Sequence, residues 1–528
     1  MIRRIGLALA LVTVFCVANR GAFEGYFSDD DLDNLSWATV AGTPGLLKDF
    51  VSLRFSENNT RATGALFYKA TGLAFGLDFK KYIPWLFAIH LLNAGLLGWL
   101  AWRRGASEVG AWSAAIFWGF HAGLLEAWWK PMYCFDLLCG TFCLVTWLLW
   151  GAGKTWIGIL TFLIAYRAKE VAVFLPFAMA FDDWRRIWPY VLISGSFTLQ
   201  AMRVNAGRNN DYTLRFSLES LLTTVPFYAK NLLHYKWGAL LLAPLAWFWR
   251  ERRFVFGVLG SLVMLTPLLF LPKRLFSVYW YVPLIPFALG FAMVVAKIPR
   301  VVLALGMVAW LGLSFGRLRE KRNEELAIAQ ENQAYVHQLT TFYALRPFPR
   351  QVFLEGLAPG LRPHGIQGAL ILTSGQRDVA ILNAELDEDR RRAQDQDLMT
   401  LQWFRPTKTL SIVPHRYREA KLSEVDLSLP QSAWALRGGW VGWENEGRVV
   451  GESARVVLYA PEGSRRLQLE WAGAKDAATK VMLAGQLLGE SKGQGKEVFD
   501  LPTGTQGELE VELQSKASPM LRWIRVTP

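Results

Sequence analysis

Asp29, Asp30, Asp31 and Asp33 crowd into Phe27-Ser28-Asp29-Asp30-Asp31-Leu32-Asp33-Asn34-Leu35, directly after an apolar segment that opens Met1-Ile2-Arg3-Arg4. Carboxylates packed just past a membrane helix are costly to hold there, and they suggest a reaction run at the membrane surface, on the side away from the cytoplasm. A second set of chemistry-bearing residues is basic. Tyr166-Arg167-Ala168-Lys169-Glu170 interrupts two apolar runs, and Lys273-Arg274 precedes Leu275-Phe276-Ser277-Val278-Tyr279-Trp280-Tyr281-Val282-Pro283. Glu126 and Lys130 border a third polar turn, with Asp136 one helical turn further on. Cations among aromatics at the headgroup level suit a lipid phosphate, which needs neutralising charge and hydrogen-bond donors together. Any one of them alone also fits a snorkelling anchor; as a set on one face with the acidic cluster, they favour an active site.

The elements that must position these residues are membrane helices. The chain has 528 residues, 52% hydrophobic and 19% charged, with 24 Trp and 33 Phe, whereas a soluble chain carries about a quarter charged residues. From Ile5 to Phe315 apolar runs alternate with short charged clusters, and from Arg317 onward the text is that of a soluble protein. Eleven spans are expected, near 5–20, 83–102, 107–125, 131–151, 155–168, 170–182, 187–204, 233–249, 254–271, 278–296 and 300–316. With the N-terminus in the cytoplasm, the inner turns hold Arg3-Arg4, Arg103-Arg104, Lys154, Arg185-Arg186, Arg250 with Arg252-Arg253, and Lys297 with Arg300. Every inner turn is then basic, as the positive-inside rule requires, and the acidic cluster faces outward with everything past residue 316.

Other chemistries are absent from the sequence. Net charge is +13, but the Lys and Arg sit in short topological clusters, which argues against nucleic acid as a partner. Cys16, Cys134, Cys139 and Cys143 all lie in apolar segments, in neither a disulfide framework nor a zinc spacing. No Walker loop, Gly-rich dinucleotide turn or nucleophile elbow occurs. His90 and His121 stand singly on apolar spans, where an interhelical hydrogen bond is the ordinary role. No metal and no cofactor is expected.

The pattern resembles the polytopic C-type (GT-C) glycosyltransferases, which take sugar from a polyprenyl-phosphate donor. It is most similar to their protein O-mannosyltransferase-like branch, over roughly residues 1–316. Phe27, Asp30, Asp31, Asn34 and Leu35 match that family's Phe-x-x-Asp-Asp-x-x-Asn-Leu, with Asp29 shifting the possible register by one. Arg61 matches a family Arg-Pro with Ala62 in place of proline, and His90 with Asn93 matches its His-x-x-Asn. His121, Glu126 and Ala127 match a His-Pro then Glu-Ala stretch, again without the proline (Ala122). Lys169, Glu170 and Pro176 match the Lys-Glu doublet, and Arg274, Tyr279 or Tyr281, and Pro283 match the late Arg-Tyr-Pro run.

The resemblance implies transfer of a glycosyl group from a lipid monophosphate to an acceptor hydroxyl, with inversion. Asp30 is then the base, Asp31 its orienting partner and Asp29 the reserve. Arg274, Lys169, Lys273 and Arg61 stabilise the leaving phosphate. Glu170 holds Lys169, and Glu126, His90, His121 and Tyr281 support the site. The partners implied are a polyprenyl-phosphate-linked sugar, an acceptor glycan, lipid or protein, and membrane lipids. The lack of a disulfide framework, the few sequons such as Asn58-Asn59-Thr60 and the compact loops point to a bacterial inner membrane and undecaprenyl phosphate. A non-catalytic or transport protein for lipid-linked glycans is the rival reading; its charges belong at the midplane and inner face as well.

The expected architecture is an all-α GT-C-like membrane domain over 1–316, an extracytoplasmic helix plus small α/β unit over 317–425, and a β-sandwich over 430–528. Strands are expected at 351–354, 368–372 and 379–382, with a helix at 386–398. Alternating strands follow at 454–459, 466–471, 480–483 and 508–513. Trp434, Trp440 and Trp443 could stack on sugars, though packing the sandwich core or rim is the more ordinary use.

Overall fold

The computed structural model describes the chain apart from residues 1, 53–60, 206–210, 345, 347–349, 376–378, 384–385, 387, 390–391, 393–397, 405–407, 416–421, 429–431, 433–434, 438, 445 and 473–476. The chain forms two compact units. One comprises Met1–Phe27 and Asn34–Ala329, the other Ser28–Asp33 and Gln330–Pro528. The acidic segment therefore belongs to the unit built from the C-terminal part of the chain.

The first unit is helical. All eleven expected stretches carry helix, and Phe79–Arg103, Pro131–Gly151, Arg252–Leu269 and Arg300–Ala344 are long and apolar enough to cross a membrane. Arg4–Ala18, Thr155–Ala168 and Leu284–Lys297 are shorter apolar helices. Proline and tight 3₁₀ turns shorten others. The expected 170–182 span is a turn at Glu170–Phe174 followed by Leu175–Asp183, and 233–249 is Tyr235–Leu242 followed by the 3₁₀ turn Ala243–Arg250, which opens beside Pro244. Large apolar side chains face outward, Trp156 being 84% and Trp247 86% exposed, as lipid contact requires. The last span and the charged segment after it form one continuous helix, Arg300–Ala344.

The second unit begins on the C-terminal half of that helix. Trp403 Nε1 donates to Glu331 Oε1 at 3.1 Å, and Leu410 N donates to Gln338 Oε1 at 2.9 Å. These bonds tie the helix to a four-stranded sheet in the order Ala380–Asn383, Gln351–Glu355, Leu398–Phe404, Thr409–His415. Its first two pairings are parallel, and the helix Pro363–Ser374 makes the crossover from Gln351–Glu355 to Ala380–Asn383. That helix corrects one expectation: 368–372 is not a strand. A short buried apolar run reads the same either way; here Pro363 sits in the first turn and Gly375 closes the end at φ 68°, which sets a helix. The helix expected at 386–398 lies largely outside the described residues.

Two antiparallel sheets follow. One runs Gly495–Asp500, Arg466–Ala472, Met520–Thr527, Gly447–Val450, Trp440–Glu444, with Glu424–Asp426 also on Met520–Thr527. The other runs Gln486–Ser491, Thr479–Leu483, Gly507–Ser515, Ala454–Ala460, Leu436–Arg437. Val456, Leu458, Val511 and Leu513 from one sheet share a core with Leu467, Leu469 and Ile524 from the other, the layering a sandwich needs. Trp440 packs against this core and donates to Arg455 O at 2.8 Å. Trp434 and the Trp443 side chain lie outside the described residues.

Candidate active site

In the helical unit, cations that are distant in sequence gather around one tyrosine. Lys169 Nζ donates to both Asp136 oxygens at 2.6 Å and lies 4.5 Å from the Tyr279 ring centroid. Arg274 Nη2 donates to Tyr279 Oη at 3.3 Å, with its guanidinium 4.4 Å from the Tyr212 ring and 4.8 Å from Phe276. Arg61 makes a fork onto Glu170, Nε to Oε1 at 3.1 Å and Nη2 to Oε2 at 3.2 Å. Burial opposes the charge on Arg61, but the Glu170 carboxylate reverses that and holds the guanidinium above its ordinary range. Among the described residues, Glu170 answers Arg61 and Asp136 answers Lys169. Planar guanidinium forks and an ammonium are the donors a phosphate takes.

Local structure explains why these residues can meet. Asp136 sits in the first turn of Cys134–Gly151, and Lys169 caps the C-terminal end of Thr155–Ala168, so two packed helices deliver one charge each. Arg61 caps Ala62–Phe75 in the left-handed region at φ 36°, an uncommon backbone state for a residue with a side chain and one that clusters at functional sites. That helix then lies so close to Phe135 that a Cβ on Gly64 would fall 2.0 Å from the ring.

Two sequence expectations change here. Glu170 forks onto Arg61 rather than holding Lys169, and the partner of Lys169 is Asp136, a charge to which the sequence assigns no role. The signal for Asp136 was a lone carboxylate in an apolar span, which is costly unless paired. Of the two tyrosines the resemblance left open, Tyr279 lies with the cations. Tyr281 is elsewhere: Asn93 Nδ2 donates to its hydroxyl at 3.0 Å, and the hydroxyl donates to His90 Nδ1 at 3.0 Å. His90 Nε2 donates onward to Gly119 O at 2.9 Å. His121 accepts from Gly123 N and donates to Leu232 O, both at 3.1 Å. Each imidazole thus has one donor and one acceptor bond, the pattern of a neutral ring pinning helices together. Glu126 pairs with Lys321 at 3.8 Å, beside the 3.0 Å pair of Lys130 with Glu325, against the long helix. Lys273 is exposed.

In the C-terminal unit the acidic residues lie on a tight turn at the start of the helix Asp31–Val40. Asp31 is fully buried, and its carboxylate accepts from Ser28 N at 2.9 Å. Asp29 adopts the left-handed region at φ 48°, and its N–H donates to Gly360 O at 2.7 Å beside a bridge to Leu361. Gly360 N in turn donates to Asn332 Oδ1 at 3.2 Å. Asp30 is half-buried between these two anchored neighbours. The crossover helix Pro363–Ser374 packs against the turn: a Cβ on Gly368 would meet Leu32 O at 2.3 Å, and one on Gly365 would meet Asp29 O at 3.5 Å. Burial pushes the Asp33 carboxyl above its usual range, His364 works against that, and Asp30 adds to it. Among the described residues, no group of three or more His, Cys, Asp or Glu is arranged to hold a metal ion.

No family model and no curated protein matches this chain. Among solved structures it is similar to ArnT from Cupriavidus metallidurans bound to undecaprenyl phosphate, at 14% identity and a TM-score of 0.44, over 76% of this chain and 93% of that one. It is similar also to ArnT from the same organism in the apo state, at 14% identity and a TM-score of 0.46, over 75% of this chain and 93% of that one. A likeness at this level bears on neither substrate nor mechanism.

Proposed function

We propose that this chain is an integral membrane glycosyltransferase of the inner membrane that moves a sugar from a polyprenyl-phosphate donor to an acceptor hydroxyl on the extracytoplasmic side. The observation that carries this reading is the gathering of Arg61, Lys169 and Arg274 around Tyr279, each cation held by a named partner. Positive charge fixed among aromatics suits the phosphate of a lipid.

In the proposed reaction the Asp30 carboxylate takes the proton of the acceptor hydroxyl. The hydroxyl oxygen bonds to the anomeric carbon from the face opposite the phosphate, and the C1–O bond to phosphate breaks with its electron pair. Polyprenyl phosphate leaves, and the anomeric configuration inverts. Asp31, whose carboxylate is engaged by Ser28 N–H, positions the turn, and Asp29 is the reserve base. Arg274 and Lys169 offset the charge growing on the leaving phosphate, preorganised so that nothing reorients during the step. Arg61 and Lys273 add to the field.

The test is transfer by purified full-length protein in detergent, over a panel of polyprenyl-phosphate hexoses and pentoses with broad acceptors, each with and without chelator. Turnover or slow donor hydrolysis that Asp30→Asn abolishes and chelator leaves intact supports the reading. Donor binding without turnover across the panel, unchanged in the variant, would shift the assignment to transport or scaffolding of lipid-linked glycans.

A further inference from the structure

The helices that carry the cation cluster at one end border a second, open basic cavity at the other. Its volume is about 410 Å³, and Arg104, Trp147, Asp182, Arg252 and Arg253 line it. These come from the C-terminal ends of Ile83–Arg103, Cys134–Gly151 and Leu175–Asp183 and from the first turn of Arg252–Leu269. Arg274 follows the far end of that last helix, so its 18 residues put about 27 Å between the two basic regions.

A row of basic residues at a membrane edge is ordinary, but here the exposed Arg252 and Arg253 and the half-buried Arg104 border one cavity. Among the described lining residues the one carboxylate is spent: Asp182 pairs with Arg104 through one oxygen and accepts from Trp147 Nε1 at 3.0 Å through the other. Arg253 Nη1 donates to the Arg104 carbonyl at 3.3 Å, which brings it close to a like charge. Among the described residues no carboxylate pairs with Arg252 or Arg253. Both sit in the first turn of their helix, the end whose dipole repels cations and attracts anions. An anion in the cavity reverses each of these unfavourable terms. Phe256, Leu289 and Met293 supply an apolar wall beside the charges, which favours a phosphate that comes attached to acyl chains.

We propose that this cavity binds a phosphate ester, with Arg252 and Arg253 on the phosphate and the Arg104–Asp182 pair as a fixed wall, and that its occupant is the headgroup of an anionic membrane lipid. The orientation set by the basic turns places this site in the leaflet opposite the donor. It does not depend on the glycosyltransferase reading, because neither arginine belongs to the donor cluster.

The test uses the full chain in detergent, titrated with dioleoylphosphatidylglycerol or dioleoylphosphatidylcholine and read by native mass spectrometry. Thermal unfolding with inorganic phosphate forms the second arm. Wild type is compared with Arg252→Gln/Arg253→Gln and with Arg300→Gln, an exposed basic residue that does not line the cavity. Phosphatidylglycerol occupancy should fall about ten-fold in the double variant and hold in Arg300→Gln, with phosphatidylcholine weak throughout. Equal occupancy in wild type and the double variant overturns the site. So does an equal loss in Arg300→Gln, which would reduce it to general edge electrostatics. Phosphate stabilising wild type but not the double variant, without lipid retention, keeps the phosphate site and overturns its lipid occupant.

Discussion

The acidic turn and the cation cluster are held by different means. The turn is fixed by main chain: Asp29 N–H on Gly360 O, Asp31 on Ser28 N–H, and a crossover helix whose Gly368 admits the Leu32 carbonyl. The cluster is fixed by side chains, with Arg61 forked on Glu170, Lys169 on Asp136 and Arg274 on Tyr279. A main-chain mount fixes the backbone on either side of Asp30 and tolerates little change in its support. A side-chain mount spreads charge over several residues, so losing one weakens binding by a step rather than removing the site. The proposed base and the proposed anion site are thus expected to fail in different ways.

The largest effect separates the two mounts outright. Asp30→Asn should cut transfer by about 10³-fold, within the range a general base supplies, while donor affinity stays at the wild-type value in a binding titration. Arg274→Gln should do the reverse, weakening donor binding by about 30-fold, as expected for removing a charged hydrogen-bond donor, with a smaller effect on kcat. Next comes the support of the turn. Gly368→Val drives a branched side chain into Leu32 O and should lower kcat about ten-fold, since small misplacements of a reacting group are expensive. Gly312→Ala, in open space, should leave kcat alone.

The smallest effect is electrostatic. Burial raises the folded-state pKa of Asp33 above its unfolded value, so the fold favours the protonated carboxyl. That contribution is complete below the ordinary carboxylate pKa of about 4 and is lost as pH rises through the raised value. Asp33→Asn should flatten that part of the pH dependence of thermal unfolding and raise stability slightly at neutral pH.

Much of the fold was legible because membrane helices and half-buried strands write their periods in one dimension. Ala454–Ala460 alternates buried and half-buried residue by residue, as its sequence implies. The 368–372 run was misread because five apolar residues carry no period long enough to choose, and the deciding signals, Pro363 and Gly375, lie outside it. In the site, Asp30 and Asp31 stood out as a local motif, but their mount did not: Gly360, Gly368 and Asn332 are hundreds of residues away and of ordinary type. Asp136 went unassigned for the same reason, since only the fold shows that Lys169, from another helix, answers its charge. The choice between Tyr279 and Tyr281 turned on rotation within one short turn, which spacing does not fix.

The central claim, a base and a donor site with separable roles, is tested most directly by measuring donor binding and single-turnover transfer on the same preparations of wild type, Asp30→Asn and Arg274→Gln. Using an undecaprenyl-phosphate sugar from the panel, the account predicts that Asp30→Asn binds donor like wild type yet transfers about 10³-fold more slowly, and that Arg274→Gln loses binding first. Transfer by Asp30→Asn at the wild-type rate, or donor affinity indifferent to Arg274→Gln, would contradict it.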